Sequence, residues 1–195
     1  ERAVLTAARI NFFELKNYPR AETYYIQLKQ ITASQENKLE AMRGLLRSQY
    51  QMGNWVEAQD NAKELLVYKS ANADDKVLAN VVLARAAEAD ASYDLAILYY
   101  KNAAAGTRGE LSAASRYGIA WCQFKQSKWK EAEKSAFETI NKNGSYEVWV
   151  TRSYLLLGDI YMQQHDFFNA KATFQRVVEN DSLHELKEEA QRKLN

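Results

Sequence analysis

Apolar residues recur along the chain at the three-and-four spacing of amphipathic helices, and polar stretches interrupt them at regular intervals. Over residues 3–15, Val4, Leu5, Ala8, Phe12 and Leu15 share one helical face. Lys16-Asn17-Tyr18 forms a short turn, and Pro19 falls at the first position of the next helix, where its missing N–H costs nothing and its fixed φ helps. That helix carries Ala21, Tyr24, Tyr25 and Leu28 on its buried side and runs to about Ile31. The polar stretch 32–36 is a connector. The same unit then returns four times. Helices over about 38–52 and 55–69 meet at Gly53-Asn54, and a helix following the connector 70–75 ends near Asp90 and pairs with 93–105. A fourth pair starts near Glu110 and turns at Ser127-Lys128, and a fifth follows 141–146 and turns at His165-Asp166. Thr107 with Glu110, and Ser182 with Glu185, have the spacing of capping boxes.

A second regularity sits on the first. Each turn is followed by an aromatic residue and, three positions later, by alanine: Tyr18/Ala21, Trp55/Ala58, Tyr93/Ala96, Trp129/Ala132 and Phe167/Ala170. Successive aromatics are 37, 38, 36 and 38 residues apart, a period that marks a repeat array. Antiparallel helices joined by a short turn come closest near that turn, so a methyl group there permits approach and anything larger pushes them apart. The facing position, nine residues before each aromatic, holds Arg9, Leu46, Ala84, Ala120 and Gly158; three of these are small and Arg9 departs most. Seven residues after each aromatic stand Tyr25, Ala62, Tyr100, Ala136 and Phe174, whose large members are expected to bury against the following repeat.

These residues resemble the tetratricopeptide repeat. The fifth unit carries Leu157-Gly158, Tyr161, Phe167, Ala170 and Phe174, and the second carries Gly53-Asn54-Trp55-Val56-Glu57-Ala58 at its turn. The resemblance implies an all-α fold: a right-handed α-solenoid of about five antiparallel helix pairs plus a C-terminal capping helix. The units fall at about 1–34, 35–73, 74–108, 109–145 and 146–181, with the capping helix at 183–194. The repeats exceed the usual length of about 34 residues, and the proline that often closes each one is missing. Longer connectors of this kind are similar to those of bacterial cell-envelope members such as outer-membrane assembly lipoproteins, which implies a periplasmic or outer-membrane-associated setting, with the cytoplasm as the alternative. On the last helix Leu186, Ala190 and Leu194 form a narrow apolar stripe and the other faces are charged, as the end of an array requires. No comparable polar helix precedes Ala3, so the array is expected to continue upstream, with this chain as its C-terminal portion.

Composition narrows the function classes. Hydrophobic residues make up 47% and charged residues 26%, as in a soluble folded protein. One proline and seven glycines favour long helices. A net charge of +1, from 26 basic and 25 acidic residues, gives no electrostatic reason to expect nucleic acid or an anionic membrane as partner. No apolar run approaches the roughly 18 residues of a membrane span, so direct membrane insertion is not expected.

Catalytic, metal-binding and cofactor-binding constellations are missing, so an enzyme is not expected. His165 and His184 lie at a turn and a helix start without cysteines or acids at ligand spacing, and are read as surface residues. Cys122 is the single cysteine and is read as a packing residue within a helix. Gly106-Thr107-Arg108-Gly109 lacks the lysine and preceding strand of a phosphate loop and is read as a connector. Asn143-Gly144-Ser145 and Asn180-Asp181-Ser182 match the glycosylation sequon.

What remains is a surface. The resemblance implies that the first helix of each pair lines a concave face where peptides or partner helices bind. Projection onto that face gives Arg43, Arg47 and Tyr50 in the second repeat, Arg85 and Glu88 in the third, and Tyr117, Trp121, Phe124 and Lys125 in the fourth. Arginine mixed with tyrosine and tryptophan is the composition of interaction hot spots. The lysines and asparagines of the family's two-carboxylate clamp are not found. The expected partner is therefore a protein or peptide bound without that clamp. The alternative is a structural spacer that packs against the rest of its own chain or self-associates.

Overall fold

The computed structural model describes residues 1–106, 109–180 and 183–194. Helix α1 (Arg2–Arg9) continues without a break into a π-helical turn, Ile10–Glu14, so the single helix expected over 3–15 widens at its C-terminal end. Asn11 has its backbone carbonyl bonded by the Asn17 N–H at 2.7 Å there. Helix α2 (Tyr18–Ile31) is capped by the Asn17 side chain, which accepts from the Arg20 N–H at 3.2 Å. Pro19 is therefore its second helical residue rather than its first. That position is equally harmless, because the first four N–H groups of a helix have no partner within it.

Helix α3 (Gln35–Met52) begins inside the stretch expected to be a connector, because Ser34 accepts from the Asn37 N–H and caps it. Its partner α4 (Gln59–Val67) is shorter than expected. Residues 55–58 form turns instead of regular helix, with the Gln59 N–H bonded to Val56 O at 3.2 Å. Helix α5 (Ala73–Ala89) also starts early, because Asn72 and Asp75 form a reciprocal capping box. Then come α6 (Tyr93–Gly106), α7 (Glu110–Lys125), α8 (Trp129–Lys142), α9 (Glu147–Gln163), α10 (Phe167–Asn180) and α11 (His184–Leu194). Helix α7 has Gly109 as its N-cap, without a side-chain capping bond. Thr107 and Ser182, on which the two expected capping boxes depended, lie outside the described residues.

All five turns share a backbone feature. The residue two before each repeat aromatic has a positive φ: Lys16 (49°), Gly53 (73°), Ala91 (55°), Ser127 (59°) and His165 (60°). This left-handed residue reverses the chain, and glycine occupies it once.

The contacts divide the chain into two compact units, Glu1–Thr107 and Arg108–Asn195. In the first, Ala21, Ala58 and Ala96 are fully buried, as the close-approach reading requires. Tyr25 buries its ring on Gly44 of the following repeat, where a Cβ would stand 2.1 Å from its Cζ. Tyr100 is 1% exposed and donates its hydroxyl to Glu88 of its own pair. Helix α4 packs chiefly on α5 and touches α3 less than the other second helices touch their partners. Arg9 is exposed and bonds Glu40 of α3 at 2.9 Å, which accommodates the odd member of the facing series.

In the second unit, Ala132 and Ala170 are buried, and Ala120, Ala136, Leu156, Leu157 and Ile160 form the core of α7, α8 and α9. Phe174 packs into the space left by Gly158 in its own pair, and also against Leu186 and Ala190 of α11. Lys193 of α11 donates to both carboxylate oxygens of Asp159 on α9 at 2.6 Å. Burial raises the Asp159 pKa and the Lys193 bonds oppose that rise.

Candidate functional site

The nine candidate contacts sit on first helices of the pairs, five on α3 and α5 in the first unit and four on α7 in the second. In the first unit most of them are engaged within the chain. Arg43 reaches from α3 to α5, its Nε and Nη2 donating to the two oxygens of Asp75 at 2.5 and 2.7 Å. Asp75 is 3% exposed, and its carboxylate also accepts the Asn72 N–H of the capping box at 2.8 Å. These bonds hold the Arg43 guanidinium above its already high pKa, against the effect of partial burial. The pair is thus a bidentate staple between consecutive repeats.

Arg85 and Glu88 form a second closed group. Arg85 Nη1 lies 3.3 Å from Glu88 Oε2, which also accepts the Tyr100 hydroxyl at 2.7 Å, and the guanidinium stands 6.0 Å from the Tyr100 ring centre. Tyr50 packs edge-on against Trp55 with ring centres 5.0 Å apart. Arg47 differs from all of these. It is exposed and has no ion-pair partner among the described residues. Arg47 and Arg9 act together on the phenol of Tyr25, opposing the burial and the Glu40 charge that push its pKa up.

In the second unit the candidate residues form an aromatic ladder. Trp121 and Phe124 stack with ring centres 5.8 Å apart, and Phe124 meets Trp129 at 5.2 Å. Lys125 is exposed and carries its ammonium 5.2 Å over the Trp121 ring. Tyr117 lies 5.7 Å from Trp149 on α9. Tyr117, Trp121, Phe124 and Trp129 are partly buried against the α7–α9 core, so each both packs and presents a surface. Trp149 and Arg152, whose guanidinium stands 5.7 Å over that ring, extend the ladder and were not singled out from sequence. The signal was there, since they repeat the aromatic–cation pairing of Trp121 and Lys125 at nearly the same spacing. The Trp149 Nε1 is buried and has no hydrogen-bond partner among the described residues.

Arg47, Arg85, Trp121 and Asp159 occupy one position in four successive repeats, 38, 36 and 38 residues apart. In the last of these, Lys193 of α11 engages the side chain.

The other chemically capable residues fall elsewhere. Cys122 is buried. His184 lies 3.2 Å from Glu188, and His165 occupies a left-handed turn beside Phe167. Among the described residues no group of three or more His, Cys, Asp and Glu is placed to hold a metal ion, and no helix is long and apolar enough to cross a membrane. Asn143 of the first sequon is 6% exposed and accepts from Arg116 at 3.3 Å, so its amide is not presented. The second sequon includes Asp181 and Ser182, outside the described residues.

Helix pairs of this length, with a small residue after each turn and aromatic anchors between them, define a helical-repeat protein. Residues 152–183 match the family model of the tetratricopeptide repeat. Three solved structures share the fold. YrrB, described as a TPR protein with an unusual peptide-binding site, aligns with TM-score 0.66 and 15% identity over 97% of this chain and 90% of that one. TTC0263, a thermophilic TPR protein of Thermus thermophilus, gives 0.62 and 18% over 99% and 98%. A structure described as MamA MSR-1 C2 gives 0.62 and 14% over 97% and 95%. A search of curated proteins found no match. The chain thus carries one repeat that matches the tetratricopeptide model, within a helical-repeat fold shared with these solved structures. The narrower likeness to cell-envelope members finds no support in these comparisons.

Proposed function

We propose that the chain is a non-catalytic scaffold that binds a peptide or protein segment on the concave face of its repeats. The principal contacts are Arg47 in the first unit, and Trp121 with Lys125 in the second. The observation that carries this reading is Arg47. Arg43 on the same helix, and Arg9 and Arg85 on other first helices, are each paired to a carboxylate, whereas Arg47 is exposed with its five donors open to a partner's carboxylate or carbonyl. The Trp121–Phe124 stack adds a rigid aromatic platform, and tryptophan and arginine are the residues that most often dominate binding energy. The peptide-binding site attributed to YrrB favours a peptide as the class of ligand. On this reading Arg43, Tyr50, Arg85 and Glu88 keep the surface in shape, and Tyr117 and Phe124 support the platform.

Affinity capture from native extract tests the proposal, comparing the wild-type chain with an Arg47→Glu, Trp121→Ala variant of matched helicity. Each hot-spot loss costs about 2 kcal/mol, roughly thirtyfold in affinity. Proteins retained by the wild type alone support these contacts. Identical capture by both forms, or by neither, would remove them.

A second reading, the structural spacer, is favoured by one feature of the first unit. Ile10, Phe13 and Leu15 are 44%, 54% and 63% exposed around the π-helical turn. Such a cluster suits docking against a second copy or against more of the same chain. Sedimentation should then show mass rising with concentration, and Phe13→Ser with Leu15→Ser should abolish the rise. A constant monomer mass across the range would dismiss self-association.

A further inference from the structure

The second repeat is built differently from the others, and a cleft lies beside it. Its facing position holds Leu46, fully buried, where the third, fourth and fifth repeats have alanine or glycine. Helix α4 lies mainly against α5. A polar chain also links α2, α3 and α4. Gln49 Nε2 donates to Glu22 at 3.0 Å, Asn61 Nδ2 donates to Gln49 Oε1 at 3.3 Å, and Lys29 donates to Asn61 Oδ1 at 3.4 Å and to Glu64. Gln49 is 5% exposed, so this chain runs through the interior at that point.

Beside it lies a cleft of about 460 Å³, lined by Ile26, Lys29, Gln30, Lys38, Leu45 and Asn61. The volume falls within the range of ligand sites, about 300–1,000 Å³. The cleft is chemically lopsided. Glu64 neutralises Lys29, but Lys38 is half-buried and has no ion-pair partner among the described residues. Ile26 and Leu45 supply an aliphatic wall, and the exposed Gln30 amide offers both a donor and an acceptor. A lysine ammonium without an ion-pair partner beside an aliphatic wall is complementary to a carboxylate next to a branched hydrocarbon.

We propose that this cleft binds a peptide segment in which an aliphatic residue adjoins an acidic one. The aliphatic side chain rests on Ile26 and Leu45, the carboxylate bonds Lys38, and Gln30 meets the peptide backbone. The site uses none of the residues assigned to the Arg47 and Trp121 surface.

The test is a titration of the ¹⁵N-labelled full chain with the peptide acetyl-Ala-Leu-Glu-Ala-amide, followed by NMR. Saturable shifts are expected at the side-chain amides of Gln30 and Asn61 and at the backbone of Lys38 and Leu45. Affinity should fall at least fivefold when the peptide's Glu is replaced by Gln, and equally in Lys38→Met, which keeps the aliphatic stem and hence the packing of α3. The Arg47→Glu, Trp121→Ala chain should bind the peptide as wild type does. Absence of saturable shifts at the cleft would overturn the proposal. So would equal binding of the Gln peptide, equal binding by Lys38→Met, loss of binding in the Arg47→Glu, Trp121→Ala chain, or the same shifts with acetate alone.

Discussion

Arg43 and Arg47 stand one helical turn apart on α3, and their partners decide what each substitution does. Arg43→Ala would leave the buried Asp75 carboxylate without its bidentate donor, so a loss of about 2–3 kcal/mol in stability is expected. Arg47→Ala removes no bond within the chain and should stay within about 0.5 kcal/mol of wild type. Urea denaturation of both variants checks this, and equal destabilisation would contradict the division of roles. Helical spacing put both arginines on one face from sequence alone. It did not reveal that the capping carboxylate of the next repeat's first helix stands opposite only one of them. Tyr161 gives a pH-dependent counterpart. Burial, and then Glu133, whose carboxylate accepts its hydroxyl at 3.2 Å, push its pKa up to about 12. The unfolded value is about 10, so this contribution to stability is whole below that pH and is lost as pH rises through about 12. Tyr161→Phe should flatten the alkaline loss of stability over that window, and an unchanged loss would show that other groups cause it.

At the scale of elements, two glycine exchanges should act in opposite directions. Ala91 holds a φ of 55°, a conformation that costs an L-residue roughly 1–2 kcal/mol and glycine almost nothing. After the larger unfolded-state entropy of glycine, Ala91→Gly should stabilise the chain by about 0.5–1 kcal/mol. Gly44→Ala should destabilise it. An added methyl gains up to about 1 kcal/mol in helix propensity, but its Cβ would lie 2.1 Å from the Tyr25 ring, which is 1% exposed and has nowhere to go. Overpacking costs about 1–3 kcal/mol, so the clash wins. Thermal melts of the two variants moving in the same direction would refute this account. The turns themselves were legible in the sequence, because polar residues and a following aromatic mark each one. Their torsions were not, since Lys, Ala, Ser and His give no sign of a positive φ. Early starts at α3 and α5 were missed for a related reason. Ser34 and Asn72 looked like connector residues, and their side chains are helix caps.

At the scale of the molecule, the repeat was plain from five aromatic–alanine pairs at a nearly constant period, and all five alanines are buried. The same pattern overstated uniformity. It allowed regular close pairing in the second repeat, where a buried Leu46 and the Gln49–Asn61 bond accompany a short, displaced α4. It also read a straight first helix where a π-helical turn leaves Ile10, Phe13 and Leu15 exposed. The candidate surface was legible as a set of positions, but not as a division between residues that hold the repeats together and residues left to meet a partner. That division depends on side chains 32 and 12 residues distant, Asp75 for Arg43 and Tyr100 for Glu88.

The central claim is that a partner meets the first helices at Arg47 and Lys125. Site-specific photo-crosslinking in native extract tests it most directly, with the reactive group placed in turn at positions 47 and 125 and, as controls, at the exposed second-helix positions Lys63 and Lys171. The account predicts the same crosslinked protein from 47 or 125, or from both, and none from the controls. Crosslinks from the control positions with silence at 47 and 125 would contradict it.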